Sequence, residues 1–298
     1  MLFVCGRHLR PFLARHAPSA SLVGGGILSD ATLQPPTRYN VAVRLVQAAI
    51  AMCASRLESV GDVIVFAVRA VALLGRRPLR LGHLVMLMEF VGVGSLLIVL
   101  LTGIFTGAVF AIQTAVAFEI FNAKSLIGGS VALALVRELA PTLTALMVAG
   151  RVGSAMTTEL CTMRVTEQID ALEVMAVDPV HYLVTPRIVA TTLMMPLLTI
   201  GFNAIGLLGA WIVATTILGV DSAMFFSRIY AWIEPGDIGV SVVKGTCFGA
   251  AVGAIACYKG YFATGGSRGV GLATTSTVVA SSIVVLILDY VVTALWMR

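Results

Sequence analysis

The chain has 298 residues, of which 58% are hydrophobic and only 12% are charged, with a formal net charge of +5. A mean hydropathy of +0.98 excludes an ordinary soluble domain. Nucleic-acid binding is not indicated, because ten of the twenty basic residues are arginines before residue 90, an asymmetry typical of cytoplasmic segments in membrane proteins. The five cysteines have no CxxC spacing, so neither a disulfide framework nor a metal site is indicated.

The first 51 residues are rich in Pro, Gly and Arg and contain no apolar core of the kind that a signal peptide needs. We interpret residues 1–51 as a disordered cytoplasmic extension, or as an upstream extension of a chain whose working start is Met52. Residues 57–79 follow, with apolar residues interrupted by recurring Asp, Glu and Arg. This pattern predicts an amphipathic helix lying in the membrane interface, with an ordinary packed helix as the alternative.

Long apolar runs then predict five membrane-spanning helices. The runs exceed the roughly 20 apolar residues that a bilayer core requires, and they lack the period-2 alternation of barrel strands. A cytoplasmic N-terminus and five crossings place the C-terminus outside. The predicted spans cover residues 91–118, 125–156, 186–219, 238–260 and 271–297.

The second predicted span contains one charged pair, Arg137 and Glu138, with twelve uncharged residues on each side. Charges at mid-depth are costly and normally face protein or water, so the pair predicts a functional position, with a purely structural polar network as the alternative. Since adjacent helical residues lie about 100° apart, we expect one of the two to face a cavity and the other a neighbouring helix.

Lys244 and Asp289 lie at similar predicted depths, about 9 and 12 Å inside the outer ends of the fourth and fifth spans. Consecutive spans usually pack together, and pairing offsets part of the cost of a charge in hydrocarbon. We therefore predict an ion pair between them. In the alternative, Lys244 reaches the outer interface and Asp289 bonds to Ser281 or Ser282.

The stretch EQIDALEVMAVDP, residues 167–179, gathers four of the fifteen carboxylates in the predicted cytoplasmic loop between the second and third spans. The three-residue spacing of its acidic and apolar side chains predicts a short amphipathic helix over 165–178, with Thr166 as its N-cap and Pro179 near its end. So short a helix is unstable alone, so it must dock on another surface or remain a solvated loop. The side chains concerned are Glu167, Ile169, Asp170, Leu172, Glu173, Met175 and Asp178.

Residues 136–179, VRELAPTLTALMVAGRVGSAMTTELCTMRVTEQIDALEVMAVDP, together with PRIVATTLMMPLLT and GSRGVGLATTSTVVASSIVVLILDYVVTAL, resemble the MlaE/YrbE permease family of ABC transporters. The resemblance covers roughly residues 55–298, so residues 52–298 would form the permease domain. It implies an all-α membrane protein with an N-terminal interfacial helix and five transmembrane helices, forming a homodimer in the bacterial inner membrane. It also implies ATP-driven transport of lipid, chiefly phospholipid, that maintains the bacterial envelope. In that setting we predict that Arg137 and Glu138 line or gate a lipid cavity at the dimer interface, with Phe121, in the loop before the second span, as a further candidate for the lipid pathway.

The same resemblance implies partners: a cytoplasmic ABC ATPase, a periplasmic MCE-domain substrate-binding protein and a small STAS-type accessory subunit. The acidic stretch would be the coupling helix, in which Glu167, Asp170, Leu172, Glu173, Met175 and Asp178 contact the ATPase. No GxxxxGK[ST] motif occurs, so ATP and Mg are expected on the partner ATPase and no cofactor in this chain.

Three other functional classes are weighed against a transporter subunit. An intramembrane enzyme would need a site around Ser154, but His83 and His181 lie in predicted loops and no HExxH is present. An ion-coupled secondary transporter would need no ATPase, and no inverted repeat is visible. A non-transporting scaffold of an envelope complex is the third alternative. Reconstituted transport with and without ATP separates these classes.

Overall fold

The computed structural model describes residues 61–73, 81–120 and 123–296. The described residues form helices and no strand, and five of these helices are long and apolar enough to cross a membrane. This confirms the prediction of an all-α membrane protein. The predicted extension over 1–51, the start at Met52 and the lipid-pathway candidate Phe121 lie outside the described residues.

Eight helices are named here in chain order. The five candidate spans are α2, α3, α5, α7 and α8, and three shorter helices accompany them. Their bounds are α1 (61–72), α2 (Leu81–Glu119), α3 (Lys124–Val165), α4 (Gln168–Val174), α5 (Val180–Thr216), α6 (Ser222–Trp232), α7 (Pro235–Tyr261) and α8 (Gly266–Trp296).

Several helices are longer or shorter than the sequence predicted. The first span begins at Leu81 rather than near 91, and the second continues to Val165 rather than 156. Charged residues such as Glu89 and Glu159 mark the ends of the apolar runs, which set the predicted bounds. The helices continue past these residues because backbone hydrogen bonding does not depend on apolar side chains. The helix predicted over 165–178 is confined to Gln168–Val174, and it starts from Glu167 in a left-handed conformation (φ 58°) without the predicted Thr166 cap.

The segment between the third and fourth predicted spans contains a helix, α6, that was not predicted from the sequence. Asp221 caps this helix by accepting a hydrogen bond from the Met224 N–H at 3.0 Å. Aspartate is a preferred N-cap residue, so Asp221 was the feature of the sequence that could have predicted the start of this helix. Phe225 is fully buried, and its backbone carbonyl lies so close to Gly128 of α3 that any side chain there would clash.

Helices α2 and α5 form the closest pair of spans because glycines allow their backbones to touch. A Cβ atom at Gly107 would overlap the carbonyl of Gly206, and one at Gly209 would overlap the carbonyl of Ile104. Gly103 and Gly107, four residues apart on α2, therefore allow the close packing of this interface.

Helix α7 packs against α5 through the stripe Gly245, Gly249 and Gly253. Cβ atoms on these residues would meet Pro196, the Thr191 carbonyl and the Thr191 side chain, respectively. The four-residue spacing seen in the sequence thus marks the face of α7 that contacts α5.

A second apolar cluster holds the predicted cytoplasmic end together. Phe66 and Ala70 of α1 and Ile169 of α4 are buried there against residues of α3, α5 and α7. The Thr185 hydroxyl donates to the Ala70 carbonyl at 3.0 Å, which fixes α1 on the start of α5. The opposite face of α1 is apolar and exposed, as the predicted interfacial helix would require; it carries Ile64, Val65, Val68 and Val71.

Candidate functional site

Three charged side chains from three different spans, those of Glu138, Lys244 and Asp289, meet inside the bundle. The Lys244 side chain at their centre is fully buried. Its ammonium group donates to Glu138 Oε2 at 2.7 Å and to the Arg137 carbonyl at 2.9 Å, and it lies 2.8 Å from Asp289 Oδ1 as an ion pair. Three acceptors around one ammonium group offset the cost of burying it in the membrane region.

The backbone of α3 supplies one of these acceptors because of Pro141. Proline has no N–H, so the Arg137 carbonyl one turn earlier loses its usual helical donor. Residues Leu135–Leu139 form a π-helical turn at this point. The carbonyl that Pro141 leaves unpaired accepts a hydrogen bond from Lys244 instead. The sequence analysis does not predict this role for a proline within a span.

Glu138 is held on both sides. Its Oε1 accepts a hydrogen bond from the Thr293 hydroxyl of α8 at 3.2 Å, while Oε2 accepts from Lys244 of α7. Glu138 therefore joins α3 to two other spans. Lys244 has two carboxylate partners, where the sequence predicted Asp289 alone.

Arg137 forms a separate pair with Asp237 at the start of α7. Arg137 Nε lies 2.6 Å from Asp237 Oδ1, and the Asp237 side chain is only 4% exposed. The other carboxylate oxygen of Asp237 accepts from the Glu234 N–H at 3.1 Å and caps the helix. Asp237 was not predicted from the sequence as part of this cluster. The available signal was an acidic residue three positions after Glu234, with Pro235 as the first helical residue, a pattern typical of a helix start.

These groups form part of the wall of a cavity of about 620 Å³ at the predicted outer end of the bundle. Both Arg137 and Glu138 line it, so the expectation that only one of them faces a cavity is wrong: each long side chain also reaches a neighbouring helix. The wall combines a few polar groups with apolar and aromatic side chains, as an amphiphilic ligand requires. The lining residues are Ser130, Leu133, Ala134, Arg137, Glu138, Trp232, Val240, Thr293 and Trp296.

The structure places Lys244 and Asp289 within ion-pair distance, as the sequence analysis expected. The alternative, in which Lys244 extends to the outer interface, does not hold because the side chain is completely buried. Ser281 has no hydrogen-bond partner among the described residues, and the Ser282 hydroxyl donates to the Val278 carbonyl.

Most carboxylates of the acidic stretch, residues 167–179, form hydrogen bonds or ion pairs with other residues of this chain. Asp170 pairs with Arg164 at 2.6 Å, and Glu173 accepts a hydrogen bond from the Tyr261 hydroxyl at 3.3 Å. Asp178 lies beyond the end of α4; it accepts from the Val180 N–H at 3.0 Å and lies 3.8 Å from Arg69. These contacts fix the loop against the bundle, a structural role that the sequence reading did not assign.

The surface that this loop presents is therefore largely apolar. Ile169 is buried and Leu172 packs against the second apolar cluster, whereas Val174 is 88% exposed and Met175 is 63% exposed. Glu167 is exposed as well. Two projecting apolar side chains beside a carboxylate that has no partner among the described residues are typical of a surface that docks into a partner's groove.

The Ser154 hydroxyl is hydrogen-bonded to the backbone. It donates to the carbonyls of Gly150 and Arg151 within its own helix. His83 stacks on Tyr182, with ring centroids 6.3 Å apart. Neither residue is set up as a nucleophile or base by these contacts.

Comparison with known proteins places residues 84–295 in the family described as Permease MlaE. The chain is 44% identical over 227 residues to the intermembrane phospholipid transport system permease protein MlaE of Haemophilus influenzae, covering 75% of this chain and 87% of the relative. It is 42% identical over 241 residues to a probable ABC transporter permease protein of Rickettsia conorii, covering 81% and 93%. The chloroplastic protein TRIGALACTOSYLDIACYLGLYCEROL 1 of Arabidopsis thaliana is 38% identical over 211 residues, covering 71% and 60%.

Proposed function

The chain belongs to the MlaE permease family, and we propose that it is the membrane subunit of an ATP-driven transporter that moves phospholipid in the bacterial envelope. The observation that carries this proposal is the cavity between α3, α7 and α8, which combines an apolar wall with the charged groups of Arg137 and Glu138. Acyl chains would lie against the apolar wall, and the headgroup would meet the charged groups.

Arg137 is the group in this wall best suited to a lipid phosphate. Its Nε is occupied by Asp237, whereas Nη1 and Nη2 have no partner among the described residues. A guanidinium group with two free donors matches the oxygens of a phosphodiester. Glu138, whose two oxygens are occupied by Lys244 and Thr293, would hold this wall in place.

ATP hydrolysis belongs to a separate chain in this proposal, since the sequence has no Walker A motif. ATP and Mg would bind there. The loop of α4 would carry the closure of that ATPase to the spans, with Val174 and Met175 seated in its groove and the internal contacts of Asp170 and Glu173 keeping the loop rigid.

Family membership and the charge distribution support the proposed assembly. A homodimer would sit in the inner membrane, with the N-terminus and α4 on the cytoplasmic side and the C-terminus in the periplasm, as the arginine-rich N-terminal region favours. An MCE-domain protein would receive or deliver lipid at the outer end, where the cavity lies. A small STAS-type subunit would accompany the ATPase.

Replacing both Val174 and Met175 by aspartate is expected to weaken binding of the ATPase about tenfold or more. The change would bury two charges in an apolar groove. This double change is preferable to reversing the charges of Asp170 and Glu173, because charge reversal would also break contacts inside the chain. Binding is measured by co-purification and by stimulation of ATP hydrolysis. Met224→Asp, at the opposite end and 45% exposed, is the control; unchanged binding by the loop variant would refute the coupling role.

Glu138→Gln is expected to lower ATP-dependent movement of a fluorescent phospholipid about tenfold in vesicles that contain the chain and its ATPase. The variant keeps the Lys244–Asp289 pair, so the bundle should still assemble. Arg137→Gln alone would leave a buried Asp237 unpaired, so it is combined with Asp237→Asn. Glu119→Gln, whose side chain is 67% exposed, is the matched control.

The ATP dependence of this assay also separates the alternatives. Movement that requires an ion gradient and ignores ATP would indicate a secondary transporter, and no movement with an intact complex would indicate a scaffold. Full transport by both cavity variants would refute the assignment of the cavity as the lipid pathway.

A further inference from the structure

Arg151 lies in the second π-helical turn of α3, Ala149–Gly153, well away from the cavity. It follows Glu138 by thirteen residues (151 − 138), which is about 20 Å along the helix. Glu138 contacts Lys244, nine residues (244 − 235) inside the outer end of α7, or about 13 Å. Arg151 is thus about 33 Å from the outer end, at the far boundary of a hydrocarbon layer of about 30 Å.

The guanidinium group of Arg151 rests in a recess on α2. Its Nη1 donates to Ser95 Oγ at 2.8 Å and to the Phe90 carbonyl at 3.2 Å, and its Cζ lies 5.4 Å from the centre of the Phe90 ring. A Cβ atom at Gly94 would come within 2.5 Å of Nη2. The absence of a side chain at Gly94 and the buried hydroxyl of Ser95 therefore make a seat shaped for this group.

The partners of Arg151 in this recess are neutral groups, so they fix the guanidinium group without compensating its positive charge. No carboxylate lies within 4.0 Å of Arg151 among the described residues, and its Nε and Nη2 make no hydrogen bond there. Arg151 is partly exposed. An arginine that is fixed in place, uncompensated and accessible at the membrane boundary presents two free donors to an anion.

An apolar ridge leads from this seat toward the middle of the membrane. Val93, Leu97 and Leu101 recur every four residues on α2 and are 65%, 80% and 53% exposed. Side chains at this spacing lie on one face of a helix. The cation at one end and the ridge beyond it match a phosphate joined to acyl chains.

We propose that Arg151 binds the phosphodiester of a glycerophospholipid from the leaflet at the predicted cytoplasmic end, in the seam between α2 and α3. The acyl chains of this lipid run along Val93, Leu97 and Leu101. The site is separate from the cavity by about 20 Å along α3, and it requires neither ATP nor transport to be occupied.

The test is native mass spectrometry of the purified chain in neutral detergent, titrated with phosphatidylglycerol. Arg151→Gln is expected to weaken the tightest binding event roughly tenfold or more. Arg151→Lys should retain part of it, because an ammonium group keeps the charge but loses the fork of donors. Arg268→Gln, an exposed arginine at the same end, is the control and should bind as the wild type does.

Two further ligands identify the chemistry. Diacylglycerol, which lacks the phosphate, should bind equally to wild type and Arg151→Gln. Inorganic phosphate should bind far more weakly than the lipid, and equal binding of free phosphate would overturn the lipid assignment. Equal affinity of the wild type and Arg151→Gln for phosphatidylglycerol would overturn the site.

A second measurement on the wild-type chain covers the case in which Arg151→Gln does not fold. A phospholipid with a photoreactive headgroup is incorporated in nanodiscs with the protein, and the adducts are mapped by peptide sequencing. Adducts on residues 90–97 or 150–154 that decrease with excess phosphatidylglycerol support the site. Adducts confined to other segments would refute it.

Discussion

Lys244→Met is expected to destabilise the folded chain by about 3–5 kcal/mol, the usual cost of removing one partner from a buried ionic group. The substitution leaves the carboxylates of Glu138 and Asp289 facing each other without a cation between them. It also leaves the Arg137 carbonyl without a donor, since Pro141 cannot provide one. Methionine is similar to lysine in length, so the effect reports charge rather than lost volume.

The arrangement of the cluster predicts which second changes restore stability. Lys244→Met with Asp289→Asn removes one stranded charge, and adding Glu138→Gln removes the other, so stability should recover in two steps. Asp289→Asn alone should cost much less than Lys244→Met, because Lys244 keeps Glu138 as its partner. An isolated Lys244–Asp289 pair would make the two single changes about equally costly, whereas the second partner Glu138 makes the loss of Lys244 the larger effect.

Thermal unfolding in detergent and the yield of monodisperse protein measure these differences. Equal losses for Lys244→Met and Asp289→Asn would show that Glu138 does not share the lysine. A Lys244→Met chain as stable as wild type would show that the buried charges contribute nothing to the fold.

Gly107→Leu is expected to cost about 3 kcal/mol or more, with most of the chain lost to aggregation. A side chain at Gly107 would occupy the position of the Gly206 carbonyl, and a helix backbone cannot move aside as a flexible side chain can. Even Gly107→Ala should lower the midpoint of unfolding. The α2–α5 interface would have to open along its length, because Gly209 and Ile104 are in similar contact further on.

The control is Gly271→Ala in α8, where a Cβ atom would meet nothing within 4 Å. It should be neutral or slightly stabilising, since alanine favours helix over glycine. Size-exclusion chromatography and thermal unfolding compare the two variants. Normal behaviour of Gly107→Leu would contradict the backbone contact between α2 and α5.

The charged cluster joins the proposed lipid pathway to the stability of the bundle. Glu138 lines the cavity and also contacts α7 and α8, so a ligand that competes for Glu138 would change contacts among three spans. At the other end, α4 is tied to α3 by Asp170 and to α7 by Glu173. Helices α3 and α7 therefore contact both the proposed cavity and the proposed coupling loop.

The amino-acid sequence by itself determined the membrane class, the five spans and the positions worth attention. Apolar length decides whether a helix can cross a bilayer, and the cost of charge in hydrocarbon identifies Arg137, Glu138, Lys244 and Asp289 without knowledge of the fold. Helical depth, counted at about 1.5 Å per residue, was enough to bring Lys244 and Asp289 to the same level.

Only the tertiary structure decided which charges share a partner. Depth along a helix says nothing of its rotation about its axis or of which spans are neighbours, so Glu138 beside Lys244 and Arg137 beside Asp237 were not predicted. The acidic loop shows the same limit, because its pattern specifies a helix face but not the Arg164 and Tyr261 side chains that satisfy it. The seat of Arg151 likewise depends on Gly94 and Ser95, which are more than 50 residues away in the chain and adjacent only after folding.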